Sequence, residues 1–100
     1  MKKIVLLKKA EIKKQTKTVS TWTLNSKQTS LQKIFKFKDH IDAMIFVARV
    51  TVLSQVLEHH PEMLFTFQKV KVTLTSHDIG GLSKLDFDLA KRIDSLHISG

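Results

Sequence analysis

Apolar residues recur along this chain in two rhythms, every second position in some stretches and every third or fourth in others, and the changes of rhythm mark out its elements. Residues 5–18, VLLKKAEIKKQTKT, set Leu6, Leu7, Ala10 and Ile12 among lysines and predict a short first helix with a narrow apolar side. In TWTLN, Trp22 and Leu24 alternate with threonines, as in a half-buried strand. The polar SKQT reads as a turn, and SLQKIFKF gives a second strand with Leu31, Phe35 and Phe37 on one side. Asp39 is placed to cap a helix over residues 40–57, with Asp42 in the first turn, where the helix dipole favours a negative charge. That helix is apolar at Ile41, Met44, Ile45, Ala48, Val52 and Leu53, and Phe46, Val47, Val50, Val56 and Leu57 widen the stripe beyond one face. One apolar stripe covers a sheet, whereas two require a second partner. In so short a chain that partner is expected to be another copy of the protein.

Pro61 ends the helical region because it cannot continue a hydrogen-bonded turn. MLFTF and VKVTLT then predict two strands joined at Gln68-Lys69, with Phe65 and Phe67 on one side and Val70, Val72 and Leu74 on the other. HDIGG breaks the second of these, and Ser83 with Asp86 three residues later is a capping-box pattern opening a last helix over residues 84–96. The expected order is α-β-β-α-β-β-α. Two hairpins separated by a helix favour an α+β fold, a four-stranded antiparallel sheet with helices packed on one face. Residues 1–100 are expected to form a single domain.

Composition narrows the function classes. The chain has no cysteine, which excludes disulfides, thiolate metal sites and a cysteine nucleophile. The net charge of +8 is uneven, since residues 1–38 hold eleven lysines against the single acid Glu11. Such a half could attract nucleic acid or an acidic partner. No aromatic or glycine pattern of an RNA-binding sheet accompanies the lysines, so a solvated surface is the expected reading and nucleic acid is not an expected partner. The opening MKKIVLLKKAEI has only four consecutive apolar residues, short of a signal peptide or a membrane span. A cytoplasmic protein with no membrane partner is the expectation.

The candidate chemistry lies in LEHHPEMLF, residues 57–65. His59 and His60 sit where the long helix hands over to a strand, and His77 sits where the next strand ends. If those strands pair as a hairpin, three imidazoles converge at one sheet edge, with Glu58 and Asp86 nearby. Three readings of that cluster stay open. Imidazoles titrate near neutrality and suit general acid–base work. Three histidines can hold a zinc ion with an open fourth position, although adjacent residues in extended chain point to opposite sides. The plainest reading is a helix-ending loop whose histidines cap carbonyls. His40 and His97 are isolated and read as surface or cap residues.

EHHPE, an aromatic at Phe67, VKVTLTSH and GLSKLDFDLA together resemble the pterin-4a-carbinolamine dehydratase family, some members of which double as dimerisation cofactors of a homeodomain transcription factor. His59, His60, Pro61, Phe67, His77 and Asp86 follow that family's order and spacing, and the likeness runs from Trp22 to Ile93, IFKFKD included. The resemblance implies a sheet with helices on one face, and dimers or tetramers built through sheet edges and the helix over residues 40–57. It implies dehydration of 4a-hydroxytetrahydropterin to quinonoid dihydropterin, in which the pterin is substrate and no metal or other cofactor takes part. Proton transfer would fall to His59 and His77, with His60 holding and polarising the pterin. Glu58 and Asp86 would orient an imidazole or bind the pterin's amino edge, Pro61 would shape the loop, and Ser76 would offer contacts to the ring. A non-catalytic role as a protein-binding, coactivator-like module through the same helix is the alternative. Gln55, Met63 and Leu85 depart from the family's usual acid, tryptophan and arginine.

Overall fold

The computed structural model describes residues 4–97. Its elements are α1 (Lys9–Thr16), β1 (Thr23–Leu24), β2 (Leu31–Lys36), α2 (His40–Leu57), β3 (Glu62–Thr66), β4 (Lys69–Leu74) and α3 (Lys84–Leu96), with tight helical turns at Lys17–Val19 and His77–Ile79. The fold is α+β in the expected order, and the four strands form one antiparallel sheet in the order β1-β2-β4-β3.

Strand alternation decides which face carries the core. Leu31 pairs with Leu74 and Phe35 with Val70, while Met63 and Phe65 of β3 pair with Val72 and Val70. These residues share the face that meets Ala43, Phe46 and Val50 of α2 and Phe87, Ala90 and Ile93 of α3. Phe35, Val70, Val72, Leu74, Phe87 and Ile93 are shut off from solvent, each contributing about 1.5–3 kcal/mol by burial. On the other face, Ile34 and Leu64 remain exposed. The inner face holds one charge, Lys33. Its Nζ bonds Asp94 at 2.6 Å and Thr21 at 2.8 Å, and Trp22 donates its indole N–H to the same carboxylate, tying β2 and the segment before β1 to α3.

Several local expectations are corrected. α1 is shorter than residues 5–18, because residues 5–7 run in extended chain and the Leu7 N–H bonds the Leu82 carbonyl rather than joining a helix. The β3–β4 turn is Phe67-Gln68, not Gln68-Lys69, since Thr66 pairs with Lys69. Phe65 therefore lies on the same face as Val70, not on the opposite one, and Phe67 leaves the strand to take a left-handed φ of 39°. Tertiary contacts hold that unusual turn. The Phe37 N–H bonds the Gln68 carbonyl, Gln68 Nε2 donates to the Lys38 carbonyl, and the His40 ring bonds the Phe67 carbonyl at 2.8 Å. His40 is exposed and His97 caps the end of α3, as expected, but neither is isolated: His40 stacks on Phe65, and His97 lies edge-on to Phe35 and Phe37.

Both apolar stripes of α2 are present, but only the one through Ala43, Phe46 and Val50 is buried. Phe46 packs 4.7 Å from the Phe35 ring and 5.1 Å from that of Phe37, which sets the helix's rotation. The second stripe, Ile41, Met44, Ile45, Val52 and Val56, faces outward. By length and composition α2 could cross a membrane; its packing against the sheet makes it the layer that covers the core.

Candidate active site

The site is assembled by the way α2 ends. Glu58 adopts a left-handed conformation (φ 53°, ψ 39°), its N–H returns to the Gln55 carbonyl, and the His59 N–H returns to that of Ser54 at 3.0 Å. This pair of bonds is a Schellman motif, in which the left-handed position is usually glycine. A side chain there costs about 1 kcal/mol or more of backbone strain. Glu58 is kept in spite of that cost, and its side chain borders the cleft described below. The reversal turns His59 inward and leaves His60 on the surface, before Pro61 leads the chain into β3.

His59 is 8% exposed, and its Nε2 lies 2.5 Å from Oδ1 of Asp86, which is fully buried at the start of α3. A carboxylate only accepts hydrogen bonds, so the His59 proton sits on Nε2 and Nδ1 is left as the ring's second nitrogen. The other carboxylate oxygen, Oδ2, accepts from the Ser83 N–H at 2.9 Å and from Ser76 Oγ at 2.8 Å, while the Ser76 and Ser83 hydroxyls lie 2.7 Å apart. Asp86 therefore caps α3 with one oxygen and fixes an imidazole with the other. No buried side-chain polar atom among the described residues lacks a partner, which is the condition under which a buried polar network is rigid rather than costly.

The β3–β4 hairpin brings the third histidine alongside. Glu62 pairs with Thr73, so the residues before β3 and after β4 lie together at one end of the sheet. His77 opens the tight turn after β4. Gly80, left-handed at φ 69°, closes that turn, and Ser76 and Gly81 bridge its base. A cleft of about 140 Å³ is lined by Ile4, Glu58, His59, His60, Thr75, Ser76, His77 and Asp78. Five of the seven residues singled out from sequence thus share one cleft. Asp86 stands behind His59, and neither it nor Pro61 lines the cleft. Phe67 lies at the opposite end of the hairpin.

Sequence reading missed Ile4, Thr75 and Asp78, and it missed what holds His60, whose Nε2 lies 3.0 Å from Oε1 of Gln55. The position of Gln55 in the last turn of α2 is the only sequence signal for that contact. Among the described residues no group of three or more histidine, aspartate or glutamate side chains is gathered to hold a metal ion.

With this geometry in hand, likeness to known proteins is informative. The sequence pattern of the family described as Pterin 4 alpha carbinolamine dehydratase matches residues 5–96. A protein of Trichormus variabilis, provisionally named a pterin-4-alpha-carbinolamine dehydratase, is 44% identical over 92 residues, spanning 92% of this chain and 97% of its own. A crystal structure of a transcriptional coactivator/pterin dehydratase from Brucella melitensis superposes with a TM-score of 0.87 at 27% identity, covering 92% of this chain and 98% of that one. A pterin dehydratase-like protein identified as a RuBisCO assembly factor in the alpha-carboxysome superposes at 0.68 with 26% identity, covering 80% and 93%.

Proposed function

This chain belongs to the pterin-4-alpha-carbinolamine dehydratase family, and from that premise we propose that it dehydrates a 4a-hydroxytetrahydropterin to the quinonoid dihydropterin, in the recycling of tetrahydrobiopterin. The observation that carries the reading is the cleft itself, where three imidazoles meet and one of them is locked by a buried carboxylate. Hydroxide is a poor leaving group, so the oxygen on C4a must be protonated as its bond to carbon breaks. The proton on N5 must leave as the C=N bond forms. The two transfers balance as loss of one water.

An acid and a base working near neutrality supply this chemistry, each contributing roughly 10²–10⁴-fold. His59 and His77 are assigned the two proton transfers, and His60, steadied by Gln55, holds and polarises the ring. Glu58 and Ser76 supply polar contacts at the rim and floor of the cleft. No metal or organic cofactor enters the proposed step, and the cytoplasm is the proposed location. The test is the rate of 4a-hydroxytetrahydropterin dehydration by purified protein, with and without a chelator. Fast turnover insensitive to the chelator is expected; a well-folded protein without turnover would overturn the reading.

The outward stripe of α2 favours a second role, assembly. Met44, Ile45, Ala48, Val52 and Val56 of α2 form one shallow apolar surface with Leu96. An exposed patch of this kind marks an interaction site. Its proposed occupant is the same stripe of further copies, giving a homo-oligomer in which sheet edges supply the other contact. Val52→Glu with Val56→Glu is expected to lower the assembly by one step in sedimentation velocity while the far-ultraviolet circular dichroism is retained. An unchanged sedimentation coefficient would instead leave the stripe to a different protein, as a coactivator-like module would use it.

A further inference from the structure

The cleft has one wall that the proton-transfer chemistry does not use. Ile4 is its single hydrocarbon side chain; every other lining residue carries a polar group. Ile4 is brought there by an extended strap, residues 4–7, just ahead of α1. The strap is pinned by the Leu7 N–H to the Leu82 carbonyl at 2.9 Å, and Leu7 packs against the core. It also passes so close to Gly81 that a Cβ there would lie 2.7 Å from Leu6 Cδ1. The loop that carries His77 and the strap that carries Ile4 are therefore seated on one another.

We infer that Ile4 is a substrate-binding residue, the apolar wall against which the flat heterocycle rests while its polar edges meet the histidines, Glu58 and Ser76. A planar ring has two faces that bond weakly with water and an edge of donors and acceptors. A cleft with one hydrocarbon wall and a polar remainder matches that division. Ile4 lies one residue ahead of the stretch matched by the family pattern, residues 5–96. The assignment rests on the pterin reading given above.

An apolar contact that holds ground state and transition state alike changes KM and leaves kcat unaltered. Ile4→Ala is expected to raise KM, and the Kd for 7,8-dihydropterin, roughly tenfold, with kcat within about twofold of the parent and the melting temperature unchanged. Ile4→Leu should restore both constants. Gly81→Ala supplies a control, because its φ lies outside the left-handed region and the added methyl meets only the tip of the Leu6 side chain. Leu6 is 52% exposed and the end of its side chain can swing aside, so Gly81→Ala should leave KM within about twofold of the parent with every cleft residue intact. Parent protein that binds and turns over pterin while Ile4→Ala does so with parental KM and Kd would overturn the inference and leave the dehydratase reading standing. Parent protein that neither binds 7,8-dihydropterin nor turns over the carbinolamine would overturn both.

Discussion

Asp86→Asn is expected to lower kcat by roughly 10²- to 10⁴-fold while the protein stays folded. The amide keeps one oxygen, which can replace Oδ2 as acceptor for the Ser83 N–H and the Ser76 hydroxyl, so the cap on α3 survives. Its NH₂ then points at His59 Nε2, where the carboxylate had accepted a hydrogen bond. Two donors cannot face each other at that distance. His59 must move its proton to Nδ1, which inverts the ring's capacity to give or take a proton in the cleft. Asp86 is thus a positioning residue, since it touches the His59 imidazole, the Ser76 hydroxyl and the cap of α3 but does not line the cleft. Nitrogen-15 chemical shifts of the His59 ring report the tautomer directly, a readout that a merely structural role for Asp86 would not move. An unchanged tautomer together with parental kcat would remove Asp86 from the mechanism.

Much of the fold was legible because its signals are local. Asp39 accepts from the Asp42 N–H at 2.8 Å, and Ser83 with Asp86 forms a capping box, so both long helices begin where their caps stand. Strand parity placed Leu31 and Phe35 in the core for the same reason. What failed was set by contacts distant in sequence. Nothing in the text FTFQKV marks Phe67 for a left-handed turn, because the groups that hold it there are Phe37, Lys38 and His40, some thirty positions earlier. The stripe of α2 chosen for burial was likewise undecidable by periodicity, since both stripes are apolar, and ring packing of Phe46 on Phe35 decides it.

The site divides along the same line. That His59, His60 and His77 share a cleft followed from the hairpin, a short-range feature. That Asp86 orients His59 was implied by the family resemblance alone, for the residue's own spacing gave only a capping pattern. The structure shows that a carboxylate has two oxygens and that the two explanations occupy one each. Glu58 carries a subtler signal. A helix C-terminus that would accept glycine holds a charged residue instead, and that residue borders the cleft.

His77→Ala is expected to reduce kcat by roughly 10²- to 10⁴-fold, and combining it with a change at His59 should add little further loss. The reason is that C4a–O cleavage and N5 deprotonation belong to one elimination, and an acid without its base leaves that step nearly as slow as neither does. His77 is exposed and makes no side-chain bond within the described residues, so its removal should leave stability within about 0.5 kcal/mol. His59 needs more care. It is buried against Asp86, and alanine there would strip a hydrogen bond from a buried carboxylate at a cost of about 1–3 kcal/mol. His59→Gln keeps an N–H donor toward Asp86 while removing the imidazole, and it is the variant to combine with His77→Ala. Losses in the double variant that multiply would mean that the two histidines serve separate steps, and full activity in either single variant would remove that histidine from proton transfer. A double variant no slower than its slower parent would place both imidazoles on a single transition state, as a cleft that holds one ring rigid and leaves the other free at its mouth requires.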